Sequence, residues 1–134
     1  MTKRVEQRFL DFQHALKRLA SVIEEDLSLT DAIIDATIQR FEFVFELSWR
    51  LAKDILEYRG ILVSSPRSVI KEAFKQEIMV DGETWISMLE DRNMAAHIYD
   101  EQLAFRIYSE IKHTYYPLFC HFECKVAEII EEME

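Results

Sequence analysis

Turn formers are almost absent from this chain. Its 134 residues include two glycines and two prolines. Hairpins and tight turns draw on those residues, so a strand-rich fold has little to be built from. The shortage predicts a mostly helical protein, and the apolar spacing agrees. Val5, Phe9, Phe12, Leu16, Leu19 and Ile23 recur at three- and four-residue steps, the period of one helix face. They predict a first helix over 3–27. Ser28-Leu29-Thr30 breaks it, with Ser28 or Thr30 available to cap a second helix.

That second, longer helix is predicted over 31–59. Ile34, Ile38, Phe41, Phe45, Ala52 and Ile55 form one stripe, widened by Ala36, Phe43, Val44, Leu47, Leu51 and Leu56. A helix this apolar on most sides packs between neighbours, and at this length it spans about 45 Å. Gly60 is placed to stop it. Ser65 as cap and Pro66 at the first helical position open a short helix over 66–76. Asp81 caps a further helix over 83–96, with Trp85, Ile86, Leu89 and Met94 facing inward. Asp100 caps a last helix over 101–132. Leu103, Ile107, Ile111, Leu118 and Phe122 follow one stripe there, broadened by Phe105, Tyr108, Tyr115 and Phe119. Pro117 removes a hydrogen bond inside it and is expected to kink it. The expected architecture is all-α: an up-and-down bundle of the four-helix type, with three long and two short helices, in one domain over 1–134.

Composition narrows the function. The apolar fraction of 49% is enough for a core without disulfides or metals. Twenty-five acidic residues against 16 basic ones give a formal charge of −9. Affinity for phosphates comes from Lys and Arg, so contact with RNA needs a local basic patch, while an acidic surface suits a basic protein partner. No apolar run approaches the ~20 residues of a membrane span, and the first residues lack an apolar signal core. Two cysteines four apart make no disulfide framework. The expected setting is cytoplasmic and reduced, with no cofactor.

Polar chemistry concentrates in Arg92-Asn93-Met94-Ala95-Ala96-His97-Ile98-Tyr99. A guanidinium can clamp a phosphate, an imidazole moves protons near neutral pH, and a phenol can be modified. On a straight helix, residues five apart diverge by about 140°. Arg92 and His97 therefore converge only if the helix ends near His97 or a second subunit completes the site. The plainer reading has His97 bonded to terminal carbonyls and Arg92 paired with Glu90 or Asp91.

Other features have plain readings that outweigh the functional ones. Arg67, Lys71 and Lys75 form a basic stripe that could touch RNA, but read first as a solvated face balanced by Glu72. Cys120 and Cys124, with His113 and His121 nearby, have poor spacing for zinc, and no metal site is expected. Phe41, Phe43, Phe45 and Trp49 could stack bases, but their helical spacing favours core or dimer interface. Glu42 and Glu46 could bind a metal or a basic partner; a solvated face, or a pair with Arg50, is commoner. His14 reads as a surface residue.

The stretch Asp91-Arg92-Asn93 with His97, Ile98, Tyr99, Asp100 and Glu101 resembles the motif of HEPN-domain proteins. More narrowly, it resembles the nucleotidyltransferase substrate-binding subunits that partner minimal nucleotidyltransferases. Their Arg-x4-His-x-Tyr pattern is matched in full by Arg92, His97 and Tyr99. The resemblance extends to the Phe41–Trp49 segment and to Ser65-Pro66-Arg67, and runs over most of the chain. It implies a homodimer whose interface gathers two copies of the motif in a cleft. It also implies a separately encoded nucleotidyltransferase partner, in a toxin–antitoxin-type pair. The chain itself lacks a Gly-Ser followed by paired aspartates, so nucleotidyl transfer is not expected of it. Two roles compete: an accessory subunit that presents a substrate to the partner, or a metal-independent ribonuclease restrained by it. In the second, His97 moves a proton at the 2′-hydroxyl or the leaving 5′-oxygen, Arg92 stabilises phosphate charge, and Asn93 orients the phosphate or His97. Only RNA carries that hydroxyl. Tyr99 is the implied site of nucleotidyl modification, which would add charge and bulk and block RNA.

Overall fold

A computed structural model describes residues 2–134. Six α-helices appear in chain order: α1 (Thr2–Ile23), α2 (Ala32–Tyr58), α3 (Pro66–Lys75), α4 (Gly82–Met94), α5 (Glu101–Glu110) and α6 (Tyr116–Met133). A π turn, Ile111–Tyr115, joins α5 to α6, and a 3-10 turn, Ala95–His97, comes after α4. There is no strand among the described residues. With α5, the π turn and α6 taken as one interrupted helix, three long and two short helices are found, as the periodicity predicts.

The helix ends reflect local chemistry. α1 stops at Ile23, earlier than the expected residue 27. Glu24, Glu25 and Asp26 come next, and carboxylates are unfavourable at the negative end of a helix dipole. Asp26 Oδ1 instead accepts from the Ser28 amide at 2.9 Å and starts the turn. Thr30 Oγ1 accepts from the Ala32 amide at 3.2 Å at the start of α2. Gly60 ends α2 with φ of +82°, a conformation that side chains resist. Ser65 and Ser68 form a reciprocal capping box on α3. Asp81 caps α4 through the Thr84 amide, and Asp100 caps α5 through the amides of Gln102 and Leu103.

Aromatic rings tie the helices together. Trp85 of α4 packs against Phe119 and Phe122 of α6 at centroid distances of 5.6 and 5.4 Å, and against Phe45 of α2 at 6.4 Å. Phe122 meets Phe12 of α1 edge-on at 5.4 Å. Phe41 stacks on Tyr115 at 5.4 Å. All of these rings are buried, and such pairs add about 0.5–1.5 kcal/mol each beyond the area they remove from water. Phe41 and Phe45 are thus core and not a base-stacking platform. Phe43, Met94 and Phe105 depart from the expectation. Phe43 is 64% exposed, Phe105 half exposed and Met94, expected inward, is exposed at the end of α4, because each lies on the outward face of its helix.

α1 and α2 run antiparallel. Arg40 reaches the Arg18 carbonyl at one end, and Arg8 pairs with the buried Asp54 at 2.7 Å toward the other. α3 packs on α2 and α4, while α5 packs on α2 and α6 on α1.

The disturbance expected at Pro117 lies just upstream of it and takes the form of the π turn. The Tyr116 amide bonds back five residues to the Ile111 carbonyl, and Pro117 falls in the first turn of α6, where a missing donor costs least. The wider turn aims Tyr115 inward at α4. Its hydroxyl donates to Asp91 Oδ2 at 2.5 Å, and Arg106 of α5 donates to both Asp91 oxygens at 2.9 and 3.4 Å. Burial, first, and then the bond to Asp91 push the Tyr115 phenol well above its usual range. Asp91 in turn raises the pKa of Arg106.

Removing Asp91 leaves the buried Tyr115 hydroxyl without an acceptor, at about 1–3 kcal/mol, while the half-exposed Arg106 can turn to water. Asp91→Ala should therefore cost about that much in urea unfolding, while Phe43→Ala stays within about 0.5 kcal/mol. A loss under about 1 kcal/mol for Asp91→Ala would contradict the anchoring role.

Candidate functional site

The motif straddles the end of α4. Arg92 and Asn93 occupy its last turn, His97 closes the 3-10 turn, and Tyr99 and Asp100 lead into α5. The break expected at 97–99 begins slightly earlier, after Met94.

Two halves of the motif face different neighbours. His97 Nδ1 lies 3.1 Å from the Tyr99 hydroxyl, with the rings edge to face at 5.8 Å. Both side chains are exposed, Tyr99 at 80%. Asn93 is exposed as well. Arg92 turns the other way, toward α2. Its Nη1 donates to Glu46 Oε1 at 3.0 Å, and its Cζ sits 5.7 Å from the centre of the Phe45 ring. The pairing with Glu90 or Asp91 considered for Arg92 is not the one formed. Arg92 lines a cleft with Glu42, Phe43, Glu46 and Arg50, whereas Tyr99 lines another with Ile34, Ile98, Glu101 and Phe105. One chain thus joins His97 to Tyr99 and leaves Arg92 apart, so the end of α4 before His97 does not by itself bring Arg92 and His97 together.

Glu46 is a residue whose role the pattern understates. The expected one-turn pair with Arg50 is present at 3.3 Å. The same oxygen also accepts from the Trp49 indole at 2.6 Å, and the other takes Arg92 from 46 residues away. Glu42 shares the cleft, and its carboxyl is pushed up by burial against the opposing pull of Arg92. The Asp91–Tyr115–Arg106 set is likewise hidden in the sequence. Its only local signal is a carboxylate in a mostly inward-facing turn.

The remaining candidates stay apart from the motif. Arg67, Lys71 and Lys75 lie on α3, and Lys71 and Lys75 are exposed, consistent with a solvated face. Among the described residues no cluster of three His, Cys, Asp or Glu side chains could hold a metal. Cys120 is partly buried and its thiol is pushed up by burial, which disfavours the reactive thiolate. No helix among the described residues is long and apolar enough to cross a membrane.

Comparison with known proteins agrees with the motif. Residues 7–128 match the family model described as nucleotidyltransferase substrate binding protein like. The probable ribonuclease HepT of Haemophilus influenzae is 30% identical over 86 residues, covering 60% of this chain. The matched stretch spans 59% of that relative's length. A crystal structure of a Thermus thermophilus protein superposes with a TM-score of 0.73 at 27% identity, covering 89% of this chain and 98% of the other. Two more distant structures share the fold. One is a toxin–antitoxin complex subunit, with a TM-score of 0.77 and 16% identity over 92% of this chain and 97% of the other. The other is a Haemophilus influenzae nucleotidyltransferase substrate-binding domain, with a TM-score of 0.68 and 20% identity over 95% of this chain and 99% of the other. With the family model covering all six helices at least in part, the chain belongs to the nucleotidyltransferase substrate binding protein like family.

Proposed function

We propose that this chain is the accessory, substrate-binding subunit of a separately encoded minimal nucleotidyltransferase, acting as a homodimer in a toxin–antitoxin-type pair. The observation that carries the proposal is the family match over residues 7–128. The toxin–antitoxin complex that shares the fold supports the kind of pairing. The acidic balance of −9 suits a partner that offers basic residues.

Tyr99 is the proposed point of contact with the partner's chemistry. Its 80% exposure leaves the hydroxyl open to a second protein. In the transfer, the Tyr99 oxygen would bond to the α-phosphorus of a nucleoside triphosphate. The bond to the departing pyrophosphate breaks, and the phenolic proton passes to a base. His97, 3.1 Å away, is the base at hand. The attached nucleotide would place a negative charge and a bulky group beside His97.

The second reading is a metal-independent ribonuclease, favoured by the similarity to the probable ribonuclease HepT. His97 would take the proton of a ribose 2′-hydroxyl, whose oxygen attacks the adjacent phosphorus as the 5′-oxygen leaves. Arg92 would stabilise the charge on the phosphate and Asn93 would orient it. In one chain Arg92 turns into the cleft on α2 while His97 pairs with the exposed Tyr99, so this reading requires a second copy to bring them together.

Three measurements test these readings. The subunit co-expressed with a neighbouring nucleotidyltransferase should co-purify with it and carry a nucleotidyl mass on Tyr99 that Tyr99→Phe lacks. Failure to co-purify, or an adduct elsewhere, counts against the partner role. Sedimentation at micromolar concentration should give twice the chain mass of 16.0 kDa; a monomer across that range would sink the dimer. For the ribonuclease, purified protein in a chelator should cleave RNA, with activity reduced by at least about 10²-fold in His97→Ala. Intact RNA at high protein concentration leaves the accessory role alone standing.

A further inference from the structure

Glu46 is the most heavily bonded carboxylate facing the motif. It lies on α2, outside the Arg-x4-His-x-Tyr pattern, yet both of its oxygens are committed. Oε2 accepts from Trp49 Nε1 at 2.6 Å and Arg50 Nε at 3.3 Å, which hold it from its own helix. Oε1 accepts from Arg92 Nη1 at 3.0 Å. Trp49 is buried, and the Arg50 guanidinium lies 5.0 Å over its ring. Glu46 is therefore a fixed acceptor already in place where Arg92 arrives.

Arg92 is held on three sides. Glu46 takes one terminal nitrogen, the buried Phe45 ring lies beneath the guanidinium, and Nε is sealed from solvent with no hydrogen-bond partner among the described residues. The side chain keeps 26% of its surface exposed. Since Nε is closed off, the donors left for a ligand are on the terminal nitrogens. A planar fork held by one carboxylate can offer its remaining donors to a phosphate with little ordering left to do.

We propose that Glu46 is the positioning residue for Arg92, holding its guanidinium in the orientation that meets a phosphate group. The inference rests on the reading of Arg92 as a phosphate contact. Glu46 touches no ligand; it acts only through the arginine.

The two acceptor roles of Glu46 make a sharp test possible. Glutamine has one oxygen and one NH2 group, so it cannot serve Arg92 on one side and Trp49 and Arg50 on the other. Glu46→Gln is isosteric but should release Arg92. Glu42→Gln removes the same charge from the same cleft without touching that bond. The first readout is the Arg92 Nε–Hε signal in 15N NMR of the full chain, assigned by its loss in Arg92→Lys. It should be sharp and slowly exchanging in the wild type and in E42Q, and broadened or shifted in E46Q. Glu46→Asp, which draws both acceptors back, provides a second variant that should also move it. An unmoved signal in E46Q and E46D overturns the proposal.

The second readout is binding of a fluorescein-labelled 2′-O-methyl RNA oligonucleotide, which lacks the hydroxyl needed for cleavage. R92A should weaken it by about tenfold or more, and E46Q should reproduce most of that loss. Tighter binding by E46Q would mean that Glu46 competes with the ligand, which overturns positioning. So would a lower Tm with binding and signal unchanged, since that marks a structural role alone. Failure of the underlying reading has its own pattern: the wild type does not bind, or R92A binds as the wild type does.

Discussion

A carboxylate with almost no contact with water anchors the motif end of this molecule. Asp91 sits in the last turns of α4, one residue before Arg92, and is met by Tyr115 from the π turn and Arg106 from α5. A lone buried carboxylate is costly, and the cost is offset only when its lone pairs are satisfied. Here a phenol and a guanidinium do so together. The end of α4 is thereby fastened to later elements of the chain, and the intervening loop has to turn back sharply. That turn carries His97 and Tyr99. The exposed half of the motif is thus built on a buried carboxylate that accepts three hydrogen bonds.

The other half depends on α2. Arg92 crosses from α4 to Glu46, over Phe45, and Phe45 packs on Trp85 of α4 itself. The apolar contact and the ion pair therefore join the same two helices. Ion pairs exposed to solvent contribute little, but the Glu46 network is partly shielded and shares one carboxylate among three donors. Such shared acceptors favour one arrangement over alternatives more than they add to stability. The division of labour is clear: aromatic rings supply the cohesion, and carboxylates set direction.

How much of this is legible in the chain depends on the range of the interactions. Helix order, the caps at Ser65, Asp81 and Asp100, and the stop at Gly60 are local, and their residues announce them. Periodicity identifies Phe12, Phe41, Phe45, Phe119 and Phe122 as core for the same reason. It does not separate Phe43 from its neighbours, because α2 is apolar on most sides and only its packing decides which face is left out. Arg92, Asn93, His97 and Tyr99 stand out by type and spacing, but which way Arg92 and His97 turn is set by their partners, Glu46 and Tyr99. Their partners do not stand out. Glu46 and Arg92 are 46 residues apart, and Asp91 and Tyr115 are 24 apart. No local pattern encodes pairings at that distance. The π turn replaces the simple proline kink expected, because Pro117 is visible in the chain and an extra residue in a helical turn is not.

That extra residue has a further consequence. An α-helix advances about 100° per residue, so a turn holding one residue more resets the phase between α5 and α6 by roughly that angle. α6 keeps Phe119 and Phe122 toward the aromatic rings, while α5 independently keeps Arg106 toward Asp91. Loss of any single residue between 111 and 115 would take out the extra residue, leave Pro117 inside a continuous α-helix, and swing α5 about a quarter-turn around its axis. Arg106 would leave Asp91, and the loop bearing Tyr99 would be dragged with the start of α5. In this stretch the number of residues is a stricter requirement than their identity, and the spacing acts as a ruler between the core and the exposed tyrosine.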